Sequence, residues 1–234
     1  MLVFWQLLSL DAFDRSALIP SPYDAASRLL QNLSESEGWR NVFSTLIRMT
    51  VGFCLATIVG ISIGFIMGLN KTMNSILCPI VDFCRSVPVT SLYPVFVICL
   101  GVNTSSHIAM IFFACVFVIA LNTSYGVLGR SETRRNLAGL YGATGWQRIR
   151  HIYIYEALPN ILVGLRVALS FSLIVAVLCE LFMGSRYGIG QRLSIAFATY
   201  RMDELFSWIL LTGIIGYIIN LAFVDLERRV VSWK

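Results

Sequence analysis

Ionisable side chains inside long apolar runs are where this sequence could do chemistry, because a charge in hydrocarbon persists only with a partner, water or a task. Glu180 closes an apolar run that begins near Pro159. A carboxylate there must be paired, hydrated or protonated. Arg186 is the nearest cation in sequence, but no local pattern fixes the partner, and a structural role at the membrane edge competes with contact to a solute. Arg166 interrupts the same run about two turns from its start, where a long side chain could snorkel back to the interface. His107 stands alone at the head of another run and is assigned no chemistry. The cysteines (Cys54, Cys78, Cys84, Cys99, Cys115 and Cys179) lie in or beside apolar runs without the paired spacing of a zinc site, and read as small packing residues. No G-x-x-x-x-G-K-[ST] phosphate loop, H-E-x-x-H or G-x-S-x-G occurs. The expectation is therefore no catalytic residue, no cofactor site and no metal site in this chain, and no hydrolysis of ATP by it.

The elements around these residues are membrane spans. Hydrophobic residues make up 57% of the chain and charged residues 13%, the latter about half the usual soluble share. The net charge of +5 does not point to nucleic acid, because the basic residues flank apolar runs and so speak to orientation in lipid. A crossing helix needs about 20 apolar residues. Met49 to Asn70 is charge-free and long enough for one span. Ser86 to Gly129 is long enough for two, broken at the turn-like Gly101-Val102-Asn103-Thr104-Ser105-Ser106. Pro159 to Met183 and Leu205 to Val224 complete five spans. Met1 to Leu10 is apolar but too short to cross alone, and lacks the basic start and cleavage site of a signal peptide; it reads as a shortened first span or an interfacial segment. Ile19-Pro20-Ser21-Pro22 cannot be a regular helix interior, and Tyr23 to Asn32 reads as a short helix on the membrane surface. The expected organisation is an N-terminal short span or interfacial segment over 1–40, a transmembrane domain over 41–226 with a loop at 129–159, and a tail over 227–234.

Orientation follows from loop charge. Gly129 to His151 holds Arg130, Arg134, Arg135, Arg148 and Arg150, whereas Gly101 to Ser106 holds no basic residue. That places 129–151 in the cytoplasm. Arg228, Arg229 and Lys234 fall on the same side two spans later.

Two patterns sit within the spans. Gly52, Ala56, Gly60, Gly64 and Gly68 form a stripe of small residues every fourth position, which lets another backbone approach closely. The neighbour is either a helix of the same chain or a surface near a pore or subunit interface. Arg85-Ser86-Val87-Pro88-Val89-Thr90-Ser91-Leu92-Tyr93-Pro94 opens the next span with two prolines. It is either a kinked helix start or a wall of a translocation path, since irregular backbone at membrane depth needs protein or a water-filled cavity beside it. Arg85, Pro88, Pro94 and Glu180 are the path candidates.

The loop carries the most information. Asn136-Leu137-Ala138-Gly139-Leu140-Tyr141-Gly142-Ala143-Thr144 followed by Gly145 to Pro159 is too long for a connector. It reads as a helix, a glycine turn and a second, basic helix that runs to a proline. Leu137, Leu140 and Tyr141 recur at helical spacing and make one apolar face. A structured cytoplasmic loop of this kind is a docking site for a soluble partner.

This stretch resembles the EAA loop of the permease subunits of ATP-binding-cassette (ABC) importers. Gly142-Ala143-Thr144 and Leu158-Pro159 stand at that family's turn and helix end, and Gly164-Leu165-Arg166 continues the likeness. Arg85 to Pro94 resembles its Arg-Pro-x-Pro approach. Gly184 to Arg192, after Glu180, resembles its Gly-Leu-Gly loop. Asn136-Leu137-Ala138 stands where the family has Glu-Ala-Ala, so the acidic residue is missing. The likeness covers Ile19 to the C-terminus and is closest to the branch importing nitrate, sulfonate, taurine and bicarbonate. It implies an all-α polytopic bundle with the ABC importer permease fold, located in the bacterial inner membrane. It also implies a second permease copy, identical or not, ABC ATPase subunits that bind ATP and magnesium, and an extracytoplasmic solute-binding protein. Asn136, Leu137, Ala138, Leu140, Tyr141, Gly142, Ala143 and Thr144 would form the ATPase-coupling loop. The alternative, an ion-coupled secondary transporter, expects embedded acidic pairs or inverted repeats; Glu180 is the lone candidate and no repeat is visible. An intramembrane enzyme finds no support in Glu180 and His107 alone.

Overall fold

A computed structural model describes residues 19–129, 133 and 140–231. The segment Met1 to Leu10 and the loop residues Asn136, Leu137 and Ala138 lie outside the described residues. Within them the chain is helical, without a strand.

The first helix, α1 (Pro22–Ser34), starts where proline needs no N–H, and the Ser21 hydroxyl caps it by accepting from Asp24 N at 3.1 Å. Only Ala25 and Leu29 of this helix are buried, the one-sided pattern expected of a surface helix. Helix α2 (Ser36–Leu69) has 34 residues, about 51 Å at 1.5 Å per residue. That exceeds the roughly 30 Å hydrocarbon core, so part of it stands beyond the membrane.

The small-residue stripe of α2 lies against α5 (Thr104–Leu128) of the same chain. A Cβ at Gly52 would stand 2.7 Å from Ile111 Cγ2, one at Gly60 2.8 Å from the Val116 carbonyl oxygen, and one at Gly64 2.5 Å from the Ala120 carbonyl oxygen. Gly68 meets Val127 in the same way, and Ala56 is fully buried. This seam and the adjoining α6 (Gly145–Met183) enclose the main core, which includes Met49, Ile111, Cys115, Ile119, Ala168 and Ala176.

The span expected over Ser86–Leu100 is not one helix. Helix α3 (Lys71–Ser86) and the segment Val89–Leu100 meet at 84°. That segment is a 3-10 turn (Val89–Leu92) followed by α4 (Tyr93–Leu100). Pro88 has no N–H to give and forces Val87 into extended backbone. Pro94 sits at the start of α4, where the missing donor costs nothing. Counted as one broken span, this pair joins α2, α5, α6 and α8 (Met202–Val230) to make five.

The expected break at Pro159 is likewise absent. Helix α6 runs unbroken from Gly145 to Met183 over 39 residues, with a widened turn of π geometry at Ile149–Tyr153. Pro159 removes one backbone hydrogen bond, but Ala157, Ile161 and Leu162 are buried on either side of it, and their packing carries the helix through. Gly184, at φ +72°, ends α6. A short helix, α7 (Ile189–Ala198), then leads to α8, which continues past Arg228 and Arg229.

Candidate functional site

Glu180 is 0% exposed and Arg48 7% exposed, and they form an ion pair at 2.6 Å. The Thr45 hydroxyl donates to Glu180 Oε2 at 2.7 Å, and Gly190 N donates to the same oxygen at 3.1 Å. Thr45 Oγ1 in turn accepts from Ile189 N at 2.9 Å, and Asn41 Oδ1 accepts from Gly188 N at 2.9 Å. Arg48 also donates to the Tyr187 carbonyl at 2.9 Å. Buried polar groups of α2 and α6 thus satisfy the orphan amides at the start of α7, and the carboxylate sits where the helix dipole favours it. A Cβ at Gly190 would stand 2.8 Å from Glu180 Cβ, and one at Gly188 would strike the carboxylate. The two glycines of the Gly188-Ile189-Gly190 loop therefore make room for the acid.

This latch joins three elements at the end of the bundle opposite the 129–151 loop. Arg186, the nearest cation in sequence, is not the partner; its guanidinium lies 5.4 Å from the Tyr187 ring centroid. Arg48, Thr45 and Asn41 escaped sequence reasoning. Their spacing placed them on the face of α2 that continues into the Gly52 stripe, which was the available signal.

The four residues read as path candidates do not form one surface. Arg85 and Pro88 share an apolar groove of about 280 Å³ with Phe113, Phe117, Phe171 and Ile174, and Arg85 pairs with Asp82 at 3.2 Å. Pro94 is not in that lining. Glu180 is enclosed within the bundle. Arg166 does not lie free along its helix either; its Nε donates to Asn220 Oδ1 of α8 at 3.1 Å.

At the other end, the described part of the loop presents its apolar residues to solvent. Leu140 is 84% and Tyr141 89% exposed. Gly142 has φ +71°, with open space around the position of a Cβ. Thr144 then caps the start of α6 in a reciprocal box: its hydroxyl accepts from Gln147 N at 3.4 Å, and Gln147 Oε1 accepts from Thr144 N at 2.8 Å. Arg148 Nε donates to the Ala143 carbonyl at 2.9 Å, which locks the turn onto the helix. Among the described residues no group of His, Cys, Asp and Glu could hold a metal ion.

Four long apolar helices and one bent pair, packed on a glycine seam and latched at one end, make a polytopic membrane bundle. The chain belongs to the family of binding-protein-dependent transport system inner membrane components, whose model matches residues 56–232. It is 28% identical over 236 residues to the taurine transport system permease protein of Escherichia coli, covering 99% of this chain and 85% of that protein. To the bicarbonate transport system permease protein of Synechococcus elongatus it is 27% identical over 193 residues, covering 82% of this chain and 69% of that protein. A solved structure of the MetNI methionine ABC transporter in an inward-facing conformation shares the fold. Its TM-score is 0.72 at 20% identity, over 82% of this chain and 95% of that one. The chain is a multi-pass inner-membrane permease subunit of an ABC importer, a transport component rather than an enzyme. This family membership replaces the ion-coupled alternative.

Proposed function

We propose that this permease forms half of a translocation path for a small anion such as taurine, another sulfonate, nitrate or bicarbonate. The solute arrives from an extracytoplasmic binding protein, and a second permease copy completes the path. Separate ABC ATPase subunits bind ATP and magnesium and drive alternating access through the loop Asn136–Thr144. The observation that carries this coupling reading is the exposed Leu140-Tyr141 pair beside a positive-φ glycine. Two large apolar side chains in water favour burial against a partner, and their segment is cytoplasmic by its arginines.

The anion reading is supported by the relatives that carry taurine and bicarbonate in their names. Uptake of labelled taurine, nitrate and bicarbonate into liposomes holding the complete complex, with its binding protein outside and ATP inside, tests it. ATP-dependent accumulation of at least one is expected. Accumulation only of a cation or a neutral solute would refute the anion class while leaving the importer architecture standing.

A further inference from the structure

One arginine within the α6 span forms no ion pair among the described residues. Arg166 lies in α6 between Glu156 and Glu180, about 15 Å from the first and about 21 Å from the second along the helix. Glu180 is already neutralised by Arg48. Among the described residues Arg166 pairs with no carboxylate, and its side chain is bonded only to the neutral Asn220. An intramembrane cation of this kind is costly unless it serves a partner or a pathway.

The bond to Asn220 ties the guanidinium to α8. Gly216 of α8 sits opposite Leu173 of α6, so in this antiparallel pair Asn220 stands level with about residue 169. Both side chains open onto a groove of about 220 Å³ lined also by Ser170, Leu173, Ile174 and Gly216.

That groove adjoins the one beside the broken span. Ile174 borders both it and the groove at Arg85 and Pro88. The non-helical backbone at Val87-Pro88 cannot face lipid. Two adjoining grooves thus carry features that hydrocarbon disfavours, an arginine without an ion pair and an open backbone.

We propose that Arg166, oriented by Asn220, contacts the transported anion in the membrane path. The assignment rests on the anion reading above and deepens it. With Nε engaged, four N–H donors of the guanidinium remain. They form a planar fork that matches the paired oxygens of a sulfonate, nitrate or bicarbonate. A lysine would keep the charge and lose the fork.

The test uses the complete complex in liposomes with taurine, nitrate and bicarbonate as probes. Arg166→Gln is expected to lower uptake at least tenfold while the complex still assembles, and Arg166→Lys to fall between. Arg166→Cys should react with water-soluble methanethiosulfonates, against the wild-type complex as control for the native cysteines. A trimethylammonium adduct should restore part of the uptake, and a sulfonate adduct none. Wild-type uptake and half-saturation in Arg166→Gln overturn the assignment. So does an introduced thiol in Arg166→Cys that stays unmodified in both resting and vanadate-trapped complexes, or equal behaviour of the two adducts. If neither Arg166→Gln nor Arg166→Cys assembles, Arg166 is a packing residue and the assignment also fails. Absence of anion uptake by the wild-type complex would refute the preceding reading instead. In that case the aqueous labelling still decides whether Arg166 lies on the path.

Discussion

Replacing Arg48 by Met should be among the most damaging single substitutions at the latched end of the bundle. The methionine fills much of the same volume but leaves Glu180 as a carboxylate with no solvent access and no cation. Removing one partner of a buried ion pair costs about 3–5 kcal/mol. Thr45 Oγ1 and Gly190 N still donate to the acid, which keeps the loss from growing beyond that range. Glu180→Gln preserves the shape and an acceptor for those donors, and should cost about 1.5–3 kcal/mol, the worth of a hydrogen bond to a charged group. The double variant Arg48→Met/Glu180→Gln contains no uncompensated charge, so it should be more stable than Arg48→Met alone, and the two losses should not add. Denaturant unfolding of the purified permease in mixed micelles, followed by near-ultraviolet circular dichroism, measures all four corners of the cycle. A loss below about 1 kcal/mol for Arg48→Met, or simple additivity in the double variant, would refute the latch as a coupled pair.

Gly64→Leu should abolish accumulation of assembled protein, because its Cβ would stand 2.5 Å from the Ala120 carbonyl oxygen. Gly213→Leu, where a Cβ meets nothing within 4 Å, is the matched control; equal yields of the two on a detergent-extraction blot would count against the seam. Gly142→Val puts a β-branched residue at φ +71°, a strain of roughly 1–2 kcal/mol. It is expected to uncouple ATP hydrolysis from uptake without affecting membrane insertion, and wild-type substrate-stimulated ATPase activity with wild-type uptake would exclude this turn as the coupling element. Leu140→Cys should resist an impermeant thiol reagent added outside intact cells and react once the membrane is opened; labelling from outside would reverse the assigned topology.

The legible part of the fold was the part that local chemistry controls. Span length depends on the run of apolar residues needed to cross hydrocarbon, so the long helices α2, α5, α6 and α8 could be read without any tertiary contact, whereas the bent pair α3 and Val89–Leu100 could not. The stripe at Gly52, Ala56, Gly60, Gly64 and Gly68 follows from helical period, although the period is silent about which helix fills the other side. The loop turn at Gly142 and the cap at Thr144 are also local events. They depend on residues at most a few positions apart.

Proline was the local signal that misled and the one that informed. Pro88 and Pro159 remove the same donor, yet the chain bends by 84° near the first and runs straight on as one helix through the second. The difference lies in what surrounds each one. Val87 is driven into extended backbone before Pro88, whereas buried neighbours hold both sides of Pro159 in register. Charge pairing was the least legible feature, because electrostatic partners are chosen by distance in space. Glu180 found Arg48 from 132 positions away rather than Arg186 from six. From the sequence alone came the membrane, its long apolar runs and the glycine turn at Gly142, since each depends on composition within a single segment. Only the tertiary structure could enclose Glu180 in a latch and leave Arg166 facing a groove with Asn220, since burial and pairing arise from the helices' mutual packing.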